Sequence, residues 1–254
     1  MLKLCYILPL SFICMQSINS ENRAFELDKI EYQHMYNIGK TLTAKIEWHD
    51  FAESYSHYFK NIKEMPIKLL EIGILNGDSL VLWEKYFPNA EIHGIDTTFD
   101  YIIHKFDRAI CHLADQSKAE DLLRVVNDSG GNFDIIIDDG GHLPDLQITS
   151  FITLFPYLNS GGLYIVEDLH TAYWTEYAGS GNRENPDASG HTMVTFLKNL
   201  IDEVNFVGAA TGRASHKLKN GAYSMEIVED RLNEYRRDIL SIHFYDSIYF
   251  IIKR

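Results

Sequence analysis

The spacing of apolar positions changes character near residue 67. Before it, residues 22–64 mix polar and apolar side chains around Tyr32, Met35, Ile38, Trp48, Phe51, Tyr55, Tyr58 and Phe59, several of them three or four apart, which predicts helix. After it, short apolar runs end in Gly or Asp and alternate with amphipathic stretches. Ile67–Ile74 reads as a strand, SLVLWEKYF as the helix after it, and Pro88-Asn89 as that helix's stop. AEIHGID, AICHLAD, FDIIIDD and GLYIVED are four further strands. Helices are expected over Lys118–Asn127 and Leu146–Leu158. Strands this apolar, separated this regularly by helices, predict a parallel sheet covered on both faces, with ligands at the carboxyl ends of the strands. Residues 175–190 are polar and Gly-bearing and read as a loop or lid, followed by a helix from Thr192 to Glu203. ILSIHFYDSIYFIIKR closes the chain as a hairpin turning at Tyr245-Asp246-Ser247.

The first twenty residues stand apart. Leu4–Met15 is almost wholly apolar, follows Lys3 and runs into a polar stretch, the pattern of a secretory leader or a membrane-contacting segment. A buried first helix or an upstream-extended start is the alternative. The run is too short for a bilayer-spanning helix, which needs about 20 apolar residues, and Pro9 interrupts it.

Composition narrows the function classes. The 254 residues carry 23 Lys and Arg against 36 Asp and Glu, a net charge of -13, and no basic run is present to hold a polyphosphate. Nucleic acid is therefore excluded as an expected partner. Cys5, Cys14 and Cys111 are too scattered for a CxxC pair or a structural zinc site.

The acids are not scattered. Glu71, Asp96, Asp115, the pair Asp138-Asp139, and the pair Glu167-Asp168 each follow one of the five proposed strands. A single Asp there is usually a turn former or a helix cap; a succession at one rim points to a site. With the fourth and fifth strands as neighbours, Asp139, Glu167 and Asp168 would converge, and a hard divalent cation such as magnesium would relieve their repulsion. Gly73 and Gly77 sit at the first strand-to-helix junction, where a missing side chain permits close ligand approach. Asp96, at the end of the next strand, suits a ribose, so the pair suggests a nucleoside cofactor without a bound pyrophosphate. His142, three residues beyond Asp139 in DDGGH, is placed to act as a general base or, alternatively, to cap the next helix.

Together, LLEIGILNGDSLVLWEKYFPNAEIHGID resembles the first two motifs of the class I S-adenosylmethionine-dependent methyltransferases, and FDIIIDDGGH with GGLYIVEDLHTAYW resembles the metal-dependent sugar O-methyltransferases that tailor macrolide and other antibiotic glycosides, of the mycinamicin and tetracenomycin type. The resemblance runs from about residue 30 to the end. It implies an α/β, Rossmann-like, doubly wound and mostly parallel sheet with a C-terminal antiparallel hairpin. It implies that Asp139, Glu167 and Asp168 bind Mg2+ and that His142 removes the acceptor's hydroxyl proton. Glu71, Gly73, Gly77, Asp96, Asp115, Gln116 and Asp138 are the expected S-adenosylmethionine-binding residues, and Tyr173 and Trp174 are placed to stack on a sugar ring, where plain packing is the alternative. The corresponding organisation is a leader at 1–20, an N-terminal helical lid region at 21–64 and a methyltransferase domain at 65–254.

Two departures stand out. The family's Gly-Thr-Asp-Lys run before the first strand is matched here by Ile38-Gly39-Lys40-Thr41, and its DDGSH reads DDGGH, with Gly141 for Ser. The expected substrate is a small molecule or glycoside, and the expected state a homo-oligomer without a stable membrane span. The cofactor favours a cytoplasmic location, whereas a genuine signal at 1–20 would mean export or membrane association. A non-catalytic binding protein on the same fold, or an antibiotic-tailoring hydroxylase relative, are the competing expectations. The second needs a two-His-one-carboxylate set that the sequence does not show.

Overall fold

Five parallel strands and a terminal antiparallel pair build one seven-stranded sheet in the order β3-β2-β1-β4-β5-β7-β6. A computed structural model describes residues 20–211 and 228–254; the leader expected at 1–20 falls outside them, apart from Ser20. The strands are β1 (Lys68–Ile72), β2 (Glu91–Asp96), β3 (Ile110–Leu113), β4 (Phe133–Asp138), β5 (Leu158–Val166), β6 (Ile239–Phe244) and β7 (Tyr249–Lys253). The helices are α1 (Ser20–Gly39), α2 (Ala44–Glu47), α3 (Ala52–Phe59), α4 (Asp78–Tyr86), α5 (Ala119–Ser129), α6 (Pro144–Leu154), α7 (Met193–Thr211) and α8 (Glu234–Asp238). The α/β sheet and its antiparallel hairpin agree with the sequence.

The central strands are apolar on both sides because both sides are covered. Alternate residues of β4 enter opposite cores: Ile136 packs with Val125, Phe151 and Leu197, while Ile135 and Ile137 pack with Leu82, Trp83 and Phe59. Each fully buried side chain of this size contributes about 1.5–3 kcal/mol. In the second core Tyr55 lies edge-on to both Trp83 and Phe250, ring centroids 5.2 and 6.0 Å away, which fastens the N-terminal helices to β7.

Element boundaries moved where proline and apolar spacing dictate. The helix expected over Leu146–Leu158 begins at Pro144, which needs no N–H partner in a first turn, and gives way at Pro156 to a tight 3-10 turn, Phe155–Tyr157. The helix expected to end at Glu203 runs on to Thr211, as the apolar positions continue. The N-terminal stretch is three helices with turns between them, not one continuous helical run.

Register delivers the site. Ile72, Asp138 and Val166 stand side by side across β1, β4 and β5, so the chain leaves all three strands at one level. Asp139 N–H then donates to Ile72 at 3.0 Å and Glu167 N–H to the carbonyl of Asp138 at 3.0 Å. Strand order reverses between β1 and β4, the position where open α/β sheets form their ligand crevice.

Candidate active site

A cavity of about 570 Å³ opens at this rim, lined among others by Gly73, Asp96, Asp115, Gln116, Asp139, His142, Glu167 and Asp168. Most of the expected site residues are therefore brought together. Gly73 has φ +82°, and a Cβ there would lie 2.2 Å from the carbonyl oxygen of Asp139, so only glycine lets the first turn rest against the DDGGH turn. Asp96 anchors the same turn: its Oδ2 accepts N–H bonds from Ile74 at 3.1 Å and Leu75 at 2.9 Å. Asp115 is held ionised, its pKa lowered to about 2 by the hydroxyl and N–H of Ser117 and by Lys118.

Other expected residues take a different place. Glu71 is fully buried behind the cavity, where Ser79 Oγ and Trp83 Nε1 donate to its Oε2 at 2.7 and 3.0 Å. Asp138, grouped with the cofactor set, is also fully buried and does not line the cavity, because its side chain leaves β4 on the face opposite Ile137. There it accepts a 2.6 Å bond from Gln116 Nε2, while Gln116 Oε1 accepts the N–H of Gly141 at 3.0 Å. The pair clamps the DDGGH turn from beneath, and burial raises the Asp138 pKa to about 6. Gly77 lies outside the lining; it is glycine because of φ +87° and the Phe106 ring, 2.5 Å from where a Cβ would stand. Tyr173 packs against the core and Trp174 meets His170 edge-on, ring centroids 4.7 Å apart; neither is among the residues that line the cavity. At Gly141 a Cβ would meet Leu146 Cδ1, the far end of a flexible side chain, at 2.5 Å.

His142 and Asp168 both adopt left-handed backbone, φ +54° and +53°, a strained conformation for residues with side chains. His142 Nε2 stands 3.5 Å from Asp168 Oδ2 and 3.9 Å from Asp139 Oδ1, and its ring meets Tyr177 edge-on. His142 does not cap α6, whose N-cap residue is Leu143 and which carries no side-chain cap bond. Oδ1 of Asp168 is buried without a hydrogen-bond partner. His49 Nδ1 approaches it at 3.6 Å from the N-terminal segment.

Lys45, at the middle of α2, is the residue sequence reasoning missed. Its ammonium is buried against Asp139, Glu167 at 2.8 Å and Glu71 at 3.1 Å. Burial lowers its pKa, but the three carboxylates more than offset that and hold it charged. Burial in turn pushes Glu167 and Glu71 up, since one ammonium cannot balance the acids around it. Tyr55 donates to Glu167 from α3. The segment reaching over the cavity is thus Leu42-Thr43-Ala44-Lys45, not Ile38–Thr41: Thr43, Ala44 and Lys45 line it, while Lys40 stacks over Tyr36. A Thr and a Lys two positions apart were the available signal.

The donors fit a hard cation. Ligand atoms of Asp139, His142 and Asp168 lie within 4.8 Å of one another, as do those of Glu71, Asp139 and Glu167, so the expected triad is divided between two groups that share Asp139, and Oδ1 of Asp168 is buried without a hydrogen bond. Among the described residues, no helix is long and apolar enough to cross a membrane.

The chain is 37% identical over 167 residues to the 8-demethyl-8-(2-methoxy-alpha-L-rhamnosyl)-tetracenomycin-C 3'-O-methyltransferase of Streptomyces olivaceus, covering 63% of this chain and 41% of that protein. It is 32% identical over 213 residues to the 8-demethyl-8-alpha-L-rhamnosyl tetracenomycin-C 2'-O-methyltransferase of the same organism, covering 81% and 50%. Among solved structures it is similar to the MycE methyltransferase of mycinamycin biosynthesis in complex with Mg, SAH and mycinamycin VI, with TM-score 0.65, 30% identity, and 80% of this chain and 48% of that one covered. The chain spans about half the length, or less, of these relatives. No family model matches it. The fold is that of the class I methyltransferases, and the resemblance read from the sequence holds.

Proposed function

Proceeding from that similarity, we propose that the chain is an S-adenosylmethionine- and magnesium-dependent O-methyltransferase acting on a hydroxyl of a sugar or glycosylated small molecule. The observation that carries the reading is the rim itself: Asp139, His142, Glu167 and Asp168 line the same cavity as Gly73, Asp96, Asp115 and Gln116. When bound, S-adenosylmethionine supplies the methyl group and magnesium the Lewis acidity that a sugar hydroxyl needs at neutral pH.

Asp139, Glu167 and Asp168 hold the ion, and Asp96 and the Gly73 turn hold the cofactor, with Asp115 and Gln116 toward its adenine. Glu71 supports that turn from behind, and Asp138 acts through Gln116. His142 Nε2, aimed between Asp139 and Asp168, takes the acceptor proton and passes it to solvent. The helical region 21–64 serves as a lid, since α2 and His49 reach the acid rim. Orientation by two ligand sites supplies the rest of the rate. A metal-dependent hydroxylase fits less well, because neither of the metal-competent groups among the described residues contains two histidines.

The experiment is calorimetry with S-adenosylmethionine, with and without magnesium, followed by methyl transfer to mycinamicin VI and to rhamnosyl tetracenomycin as acceptor probes. Transfer that stops on chelation and returns with magnesium is expected. Cofactor binding without turnover of any glycoside would favour the non-catalytic binding protein, and turnover that survives exhaustive chelation would make the acids structural.

A further inference from the structure

The acid cluster offers two places for a cation. The inner one, Glu71, Asp139 and Glu167, is walled in, since Glu71 is fully buried and Glu167 all but fully. The outer one, Asp139, His142 and Asp168, opens to the cavity. They share Asp139, and a chain-borne cation already fills the inner place.

That cation is Lys45. Its ammonium engages Oδ2 of Asp139 and Oε1 of Glu167, and stands 3.1 Å from Oε1 of Glu71. Tyr55 donates to the same Oε1 of Glu167. Oδ2 of Asp139 and Oε1 of Glu167 are thereby engaged, Oε1 of Glu71 has the ammonium as an ion-pair neighbour without a hydrogen bond, and Oδ1 of Asp139 is turned toward His142, on the cavity side. Glu71, Asp139 and Glu167 offer a divalent ion three closely spaced carboxylates, so the inner place competes with the outer one for it. An ion there would stand behind Asp139, away from His142 and from any acceptor. A tethered ammonium resists displacement because its effective concentration at the site is high.

We propose that Lys45 is a positioning residue that occupies the inner cation place and so confines the divalent ion to the outer one, beside His142. This rests on reading Asp139, Glu167 and Asp168 as the ion's ligands. Lys45 and Tyr55 hold Oε1 of Glu167.

The test uses the full-length protein with Mn2+ as probe, in calorimetry and in crystals where its anomalous signal marks the ion. Lys45→Met keeps the side-chain length and removes the charge; Lys45→Gln is the second variant. Removing the ammonium should tighten Mn2+ binding by about tenfold and move the anomalous peak inward, within bonding distance of Glu71. Equal or weaker affinity in the variants, or a peak at the same place as in the wild type, would overturn the proposal. A wild-type crystal makes the test independent of whether either variant folds. Lys45 should stay on Glu167 with Mn2+ between Asp139 and Asp168, and an ion found in the inner triad with Lys45 swung away sinks the idea. A wild type that binds no Mn2+ fails the reading of the ion site itself, whereas wild type and variants that bind it alike fail only the role of Lys45.

Discussion

Replacing His142 by Gly separates chemistry from folding, because the two consequences have different signs. The residue sits at φ +54°, where a side chain costs about 1–2 kcal/mol, somewhat less for His. Glycine relieves that strain but adds about 0.5–1 kcal/mol of chain entropy to the unfolded state. The lost edge-on contact with Tyr177, ring centroids 6.0 Å apart, subtracts about 0.5–1.5 kcal/mol. These nearly cancel, so urea unfolding should place His142→Gly within about 1 kcal/mol of the wild type. His142→Ala, which keeps the strained backbone and loses the ring, should be less stable than the glycine variant by about 1 kcal/mol. Single-turnover methyl transfer to whichever acceptor glycoside the wild type accepts should fall by about 10²–10⁴ in both. Binding of S-adenosylhomocysteine should be retained. A glycine variant that is much less stable yet fully active per folded molecule would assign the imidazole to packing, and an alanine variant more stable than the glycine one would refute the backbone argument.

Asp96→Ala should weaken S-adenosylmethionine binding by about 1.5–3 kcal/mol in calorimetry, the worth of hydrogen bonds to a charged group, and unchanged affinity would remove Asp96 from the cofactor site. Gly73→Ala should destabilise the fold by more than about 1 kcal/mol, since its Cβ would collide with the Asp139 carbonyl; a wild-type melting temperature would show that the two turns are not in contact. Glu84 is half-buried, which raises its pKa, but the N–H groups of Arg108, Ala109 and Asp107 outweigh burial and lower it from 4.5. A lowered carboxyl pKa stabilises the fold above the unfolded value and loses that stabilisation as pH falls through the folded one. Glu84→Gln should therefore be less stable than the wild type at neutral pH, with the difference closing below about pH 4; a gap that persists in acid would mean that the ionised carboxylate is not its source.

Local sequence determined the repeating part of this protein. Strand, turn and helix alternate because apolar runs of strand length end in Gly or Asp, and nothing beyond that period was needed to expect a parallel sheet with acids at one rim. The same local logic led to Asp139, Glu167, Asp168 and His142 as candidates, since each lies at or just beyond the end of its strand. It did not find Lys45 or Tyr55, which lie 94 residues from Asp139 and 112 from Glu167 along the chain. No pattern within a helix states which distant carboxylate an amine will meet. It placed Asp138 with the cofactor set, although that side chain is buried outside the cavity lining, and it left open whether Tyr173 and Trp174 stack on a ligand or pack, although neither belongs to that lining. Those outcomes are set by the layer packed on each face of the sheet. Register puts Asp138 under the turn beside Gln116, and the docking of α2 brings an ammonium to the inner acids. Periodicity is a property of neighbouring residues, whereas charge compensation in a buried cluster depends on which elements the core's packing brings together.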